Sequence, residues 1–114
     1  MQYMLQIFTG SAIDAFERLS EAEQSAVSAE YFAIAQTAGV TGGAQLCPAD
    51  TATTVRVQDG RTLTTDGPFP ETKEVLGGYY LLETADLDSA IEMAARVPAA
   101  RMGGAVEVRP LVER

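Results

Sequence analysis

Histidine and tryptophan are both absent from this 114-residue chain, and cysteine occurs once, at position 47. Without histidine there is no imidazole base, no Ser-His-Asp triad and no zinc site of mixed Cys and His ligands. One cysteine cannot form an internal disulfide. That suits a reducing compartment, so the cytoplasm is the expected location. Positive charge is also scarce: eight Lys and Arg stand against sixteen Asp and Glu, a net charge of −8. Such a surface repels phosphate backbones and anionic headgroups, so neither nucleic acid nor membrane is an expected partner. No apolar run approaches the roughly 20 residues that span a bilayer. The opening MQYMLQIFTG lacks the basic start and apolar length of a signal peptide. No cofactor or metal site is expected: EF-hand spacing is missing, and Gly103-Gly104 is not part of a phosphate-loop motif. Acid–base work is left to Asp, Glu, Tyr, Lys or Cys47.

What the chain does have is a 46% hydrophobic composition with mixed charges, which fits one soluble globular domain over residues 1–114. QYMLQIF, residues 2–8, reads as a strand with apolar groups on both faces. A short helical turn is expected over 11–19. Ser20-Glu21-Ala22-Glu23 then matches a capping box opening a helix to about Ala38, with Val27, Tyr31, Ile34, Ala35 and Ala38 on one face. Residues 40–47 read as a strand weakened by Gly42-Gly43, with Cys47 expected as a small buried hydrophobe before Pro48. Alternating runs at 52–58 and 61–65 around Asp59-Gly60 predict a hairpin. Residues 78–83, GYYLLE, read as a central strand. A helix capped by Asp86 or Asp88 should bury Leu87, Ala90, Ile91, Ala94 and Val97 and stop before Pro98. Residues 105–109 alternate Val106 and Val108 against Glu107 and Arg109 as a closing strand.

The resulting order, with both helices on one face, predicts an α+β fold: a ferredoxin-like βαββαβ arrangement with an extra hairpin. A sheet covered on one side leaves a second face too apolar to stay wet. A second copy packed sheet to sheet would cover it, giving a homodimer that closes a dimeric α+β barrel.

The densest chemistry lies in TDGPFPETKEVLGG, residues 65–78. Pro68 and Pro70 each fix their own φ and bias the preceding residue toward extended backbone, so Phe69 sits between two stiff joints. Asp66 can close an Asx turn, or it can line a cleft as hydrogen-bond anchor or general base. Tyr79 and Tyr80 point to opposite faces of one strand, and one phenol could face a ligand. Arg109 can pair with Glu107, or meet a carboxylate on a ligand or on the loop through Asp66 or Glu71.

The run DGPFPETKEVLGGYYLLE, with TATTVRVQDG before it and GGAVEVRP after it, resembles the YCII-related proteins, in particular a branch marked by the DGPF motif. The resemblance runs from QYMLQIF to VEVRPL. It implies a ferredoxin-like fold, a dimeric α+β barrel and a cleft near the dimer interface. It also implies linkage to sigma factors of the extracytoplasmic class. A paired histidine and aspartate described for such proteins cannot be carried over, because this chain has no histidine. The motif transfers Asp66 as a candidate catalytic group, with Gly67, Pro68 and Phe69 beside it. Tyr79, Tyr80 and Arg109 complete the expected ligand-binding set. The functional expectation is a small molecule bound near the dimer interface. The alternative is a non-catalytic interaction or regulatory module.

Overall fold

The computed structural model describes residues 1–67 and 75–113. The strands are β1 (Gln2–Phe8), β2 (Val40–Gln45), β3 (Thr53–Gln58), β4 (Arg61–Asp66), β5 (Leu76–Glu83) and β6 (Ala105–Pro110). The helices are α1 (Ala12–Glu17), α2 (Glu21–Ala35), α3 (Leu87–Ala95) and α4 (Pro98–Arg101). Four strands form one sheet in the order β2-β5-β1-β6, and β3 and β4 form a separate two-stranded sheet. Every pairing is antiparallel. Thus β1 and β2 flank β5, each pair of like-directed strands being joined through helices. This mixed α+β arrangement is compatible with the ferredoxin-like plan.

Alternation along the central strands decides which face is covered. Tyr3, Leu5 and Ile7 of β1 and Tyr80 and Leu82 of β5 are buried against Ala12, Ile34, Ala90, Ala94, Val97 and Ala99. The helices therefore all lie on one face, and odd-numbered positions of β1 point to them.

Local signals act where the sequence places them. The Glu23 backbone N–H donates to Ser20 Oγ (3.2 Å), and the Ser20 N–H donates to the Glu23 carboxylate (3.1 Å), closing the capping box. These bonds hold the Glu23 carboxyl below its ordinary range. The Ser89 N–H donates to Asp86 at 2.9 Å, so Asp86, and not Asp88, caps α3. Asp59 and Gly60 both take positive φ (51° and 75°), as a two-residue hairpin turn of the primed type requires.

Several expectations need correction. α2 ends at Ala35, not Ala38. The Thr37 N–H reaches back to the Ile34 carbonyl (3.0 Å), tightening the last turn, and Gly39 follows at φ 95°. Ala35 and Ala38 are exposed, so the buried stripe of α2 narrows to Val27, Ile34 and part of Tyr31. Leu87 and Ile91 are half exposed (50% and 49%). The small side chains of Ala90 and Ala94 let α3 lie close to the sheet, and the larger ones turn to its flank. Pro98 does not only end α3: it opens α4 at the first helical position, where its missing N–H costs no bond. Cys47 is exposed, because pairing along β2 stops at Leu46 and the chain leaves the sheet there.

Candidate functional site

On the face away from the helices, the strand register lines up side chains in rows. Gln6 of β1 stands opposite Tyr79 of β5 on one side and Glu107 of β6 on the other. The next row holds Leu81, Met4 and Arg109. Phe8 lies opposite Ala105, and Ala44 of β2 lies opposite Tyr79. With strands about 4.8 Å apart, Tyr79 and Glu107 bracket Gln6 on a strip that is otherwise mostly apolar. Met4, Gln6, Phe8, Tyr79, Leu81 and Glu107 are all half-buried, and no helix among the described residues covers them.

The electrostatics of this face centre on one ion pair. Arg109 Nη2 stands 2.7 Å from Glu107 Oε1, with the two side chains 69% and 41% exposed. Glu107 Oε1 is itself sheltered from solvent, and the guanidinium meets it outside hydrogen-bond alignment. The pair is therefore electrostatic in character, and among the described residues this oxygen has no well-aligned donor.

The two tyrosines separate cleanly. Tyr80 faces the helices and is 8% exposed; its hydroxyl donates to the Tyr31 carbonyl at 2.9 Å. The Tyr31 hydroxyl in turn accepts from the Ala99 N–H at 3.2 Å, one of the unpaired donors at the start of α4. Burial pushes both phenols above their ordinary value of 10.0, with the mutual proximity of the rings adding at Tyr80. Tyr80 is thus part of the core, and Tyr79 is the phenol on the open face.

Asp66 is the last residue of β4, opposite Thr53, and it is exposed. It shares one face of the hairpin with Val55, Val57, Thr62 and Thr64. Among the described residues no hydrogen bond or ion pair to its carboxylate is found. Gly67 is fixed more firmly: its N–H donates to the Ala52 carbonyl (2.8 Å) and its carbonyl accepts from Thr54 Oγ1 (2.7 Å). Pro68 and Phe69 lie outside the described residues, as do Pro70, Glu71 and Lys73. Within one chain, then, the structure brings Tyr79 and Arg109 onto a common face and holds Asp66 on the separate hairpin.

Two depressions lie on the helical side. One of about 630 Å³ is lined by Phe16, Glu21, Gln24 and Ser25 among others, and one of about 300 Å³ by Glu30, Ala33, Ile34, Arg96 and Arg101. Neither contains a residue of the candidate site expected from the sequence. Among the described residues no cluster of acidic or cysteine side chains could hold a metal, and no helix is long and apolar enough to cross a membrane. Gln6 was not singled out from the sequence, although a glutamine in mid-strand, flanked by Leu5 and Ile7, is a visible signal. The Tyr31 hydroxyl was also missed, because a tyrosine on an apolar helix face looks like plain core.

The geometry defines a small antiparallel α+β protein whose described helices all cover one face of the four-stranded sheet. The chain belongs to the YCII-related domain family, whose pattern matches residues 4–114. It is also 46% identical over 69 residues to an uncharacterized protein of Rhizobium meliloti (strain 1021). That match takes in 60% of this chain, and the chain spans 56% of the relative's length.

Proposed function

We propose that this YCII-related protein acts in the cytoplasm as a homodimer that holds a small molecule where two open sheet faces meet. Its Asp66-Gly67-Pro68-Phe69 run assigns it to the DGPF branch. Two such sheets packed face to face form a dimeric α+β barrel. Asp66 is the polar anchor or general base of the site, with Tyr79 and Arg109 as further ligand contacts.

One observation carries this reading. The open face combines half-buried apolar side chains, Met4, Phe8, Tyr79 and Leu81, with a sheltered carboxylate oxygen on Glu107 for which the described residues supply no aligned donor. Apolar surface of this kind is stabilised by a cover, and the unsatisfied oxygen by a donor from outside the chain. A bound molecule carrying an N–H or O–H supplies both.

Thermal-shift screening of small polar and aromatic compounds tests the reading. Compounds that raise the melting temperature of the wild type should lose that effect in Asp66→Asn and in Tyr79→Ala. A library without a stabilising compound, or shifts indifferent to both substitutions, overturns it.

A second reading is a non-catalytic interaction or regulatory module linked to sigma-factor systems. The exposed valines of the hairpin, Val55 at 59% and Val57 at 68%, favour it. Stable capture of a sigma factor that is lost in Val57→Asp distinguishes it from small-molecule binding.

A further inference from the structure

We infer a second binding site, on the helical side, for a small oxyanion: a carboxylate or phosphate group attached to a short apolar body. The site is the groove of about 300 Å³ between α2 and the α3–α4 pair, and it does not depend on the open face or on a partner copy.

The chemistry of the groove departs from that of the rest of the molecule. The protein carries a net charge of −8, yet two of its eight basic side chains, Arg96 and Arg101, line this one hollow against a single carboxylate, Glu30. Arg101 Nη2 is already paired with Glu30. Arg96 is differently placed. Its Nη1 donates to Met93 Sδ and its Nη2 to Thr37 Oγ1, both at 3.5 Å, long contacts to weak or neutral acceptors. The Thr37 hydroxyl has its own strong bond, donating to the Ala33 carbonyl at 2.8 Å. Among the described residues Arg96 has no carboxylate partner.

These contacts place the Arg96 head group beside the groove without neutralising it. A guanidinium presents parallel N–H donors that match the two oxygens of a carboxylate or phosphate. Ala33 lies exposed in the groove over the buried Ile34, which gives a short apolar body a contact there. Arg101 and Glu30 also line the groove and offer both a donor and an acceptor to a polar substituent. The acidic surface as a whole repels anions, so binding here should depend on these two arginines.

Titration of 15N-labelled protein with sodium phosphate, and separately with sodium acetate, tests the site by amide chemical shifts. We expect saturable shifts confined to residues 30–37 and 94–101, weakening as salt rises. Arg96→Gln should weaken phosphate binding at least tenfold, Arg96→Lys should weaken it less, and Arg18→Gln should leave it unchanged. Ala33→Glu keeps Arg96 but puts a carboxylate in the groove, so it should also abolish the shifts. Phosphate binding with no acetate response assigns the site to phosphate esters; the reverse assigns it to carboxylates. No saturable shift with either anion, shifts centred elsewhere, or unchanged affinity in Arg96→Gln or Ala33→Glu overturns the inference.

Discussion

Arg109 Nη2 lies 2.7 Å from Glu107 Oε1 on the sheet face opposite the described helices. In a lone chain such a half-exposed pair contributes little, about 0–1 kcal/mol. Between two packed sheets its weight changes, because removing one member leaves the other charge enclosed and unpaired. Glu107→Gln should therefore barely move the unfolding of a monomer. It should raise the dimer dissociation constant at least tenfold, as read by sedimentation over a dilution series. Dimer affinity equal to wild type would detach the pair from the interface.

The Tyr80–Tyr31–Ala99 chain ties β5 to α2 and α2 to α4. Tyr80→Phe removes one part-buried hydrogen bond and should cost about 1 kcal/mol in denaturant unfolding. Tyr31→Phe should cost a similar amount, because it leaves an N–H of α4 without its partner. The two losses should not add fully, since both bonds run through Tyr31. Losses under a few tenths of a kcal/mol for both would show that solvent substitutes for these bonds.

The same tyrosines set an alkaline limit. Both phenols are held above the ordinary value of 10.0 by burial, so the folded state binds these protons more tightly than the unfolded chain. Their contribution to stability is whole below pH 10.0 and is lost as pH rises through the folded values. Urea midpoints should fall above pH 10.0 in the wild type and fall less steeply in Tyr80→Phe.

Gly39 takes φ 95°, and a Cβ there would lie 2.6 Å from the Glu83 carbonyl oxygen. Gly39→Ala carries both backbone strain and a clash with the sheet. It should destabilise the fold by about 1–3 kcal/mol. An unchanged midpoint would contradict the positive-φ turn between α2 and β2.

Most of the fold is legible in the chain because its punctuation is local. Ser20 with Glu23, Asp59-Gly60 and Pro98 each mark a boundary through bonds or φ values that reach only a few residues. Packing faces are less legible. The helical spacing of Leu87 and Ile91 matches that of Ala90 and Ala94, yet only the alanines are buried, because closeness to the sheet selects small side chains. Cys47 is exposed because strand pairing ends before it, a fact set by β5 and not by its neighbours in sequence. The candidate site is half legible. Tyr79 and Arg109 fall on one face by simple alternation, but which face stays open depends on where all the helices pack. Gln6 gains meaning only from its register between Tyr79 and Glu107.

The central claim is that the open face is covered by a second copy. Analytical ultracentrifugation of the wild type and of Leu81→Asp tests it most directly. The wild type should sediment as two chains at micromolar concentration, and Leu81→Asp as one folded chain, because a charge at the middle of the buried strip has no partner. A wild type that sediments as a single chain would contradict it, and so would a Leu81→Asp variant that remains a dimer.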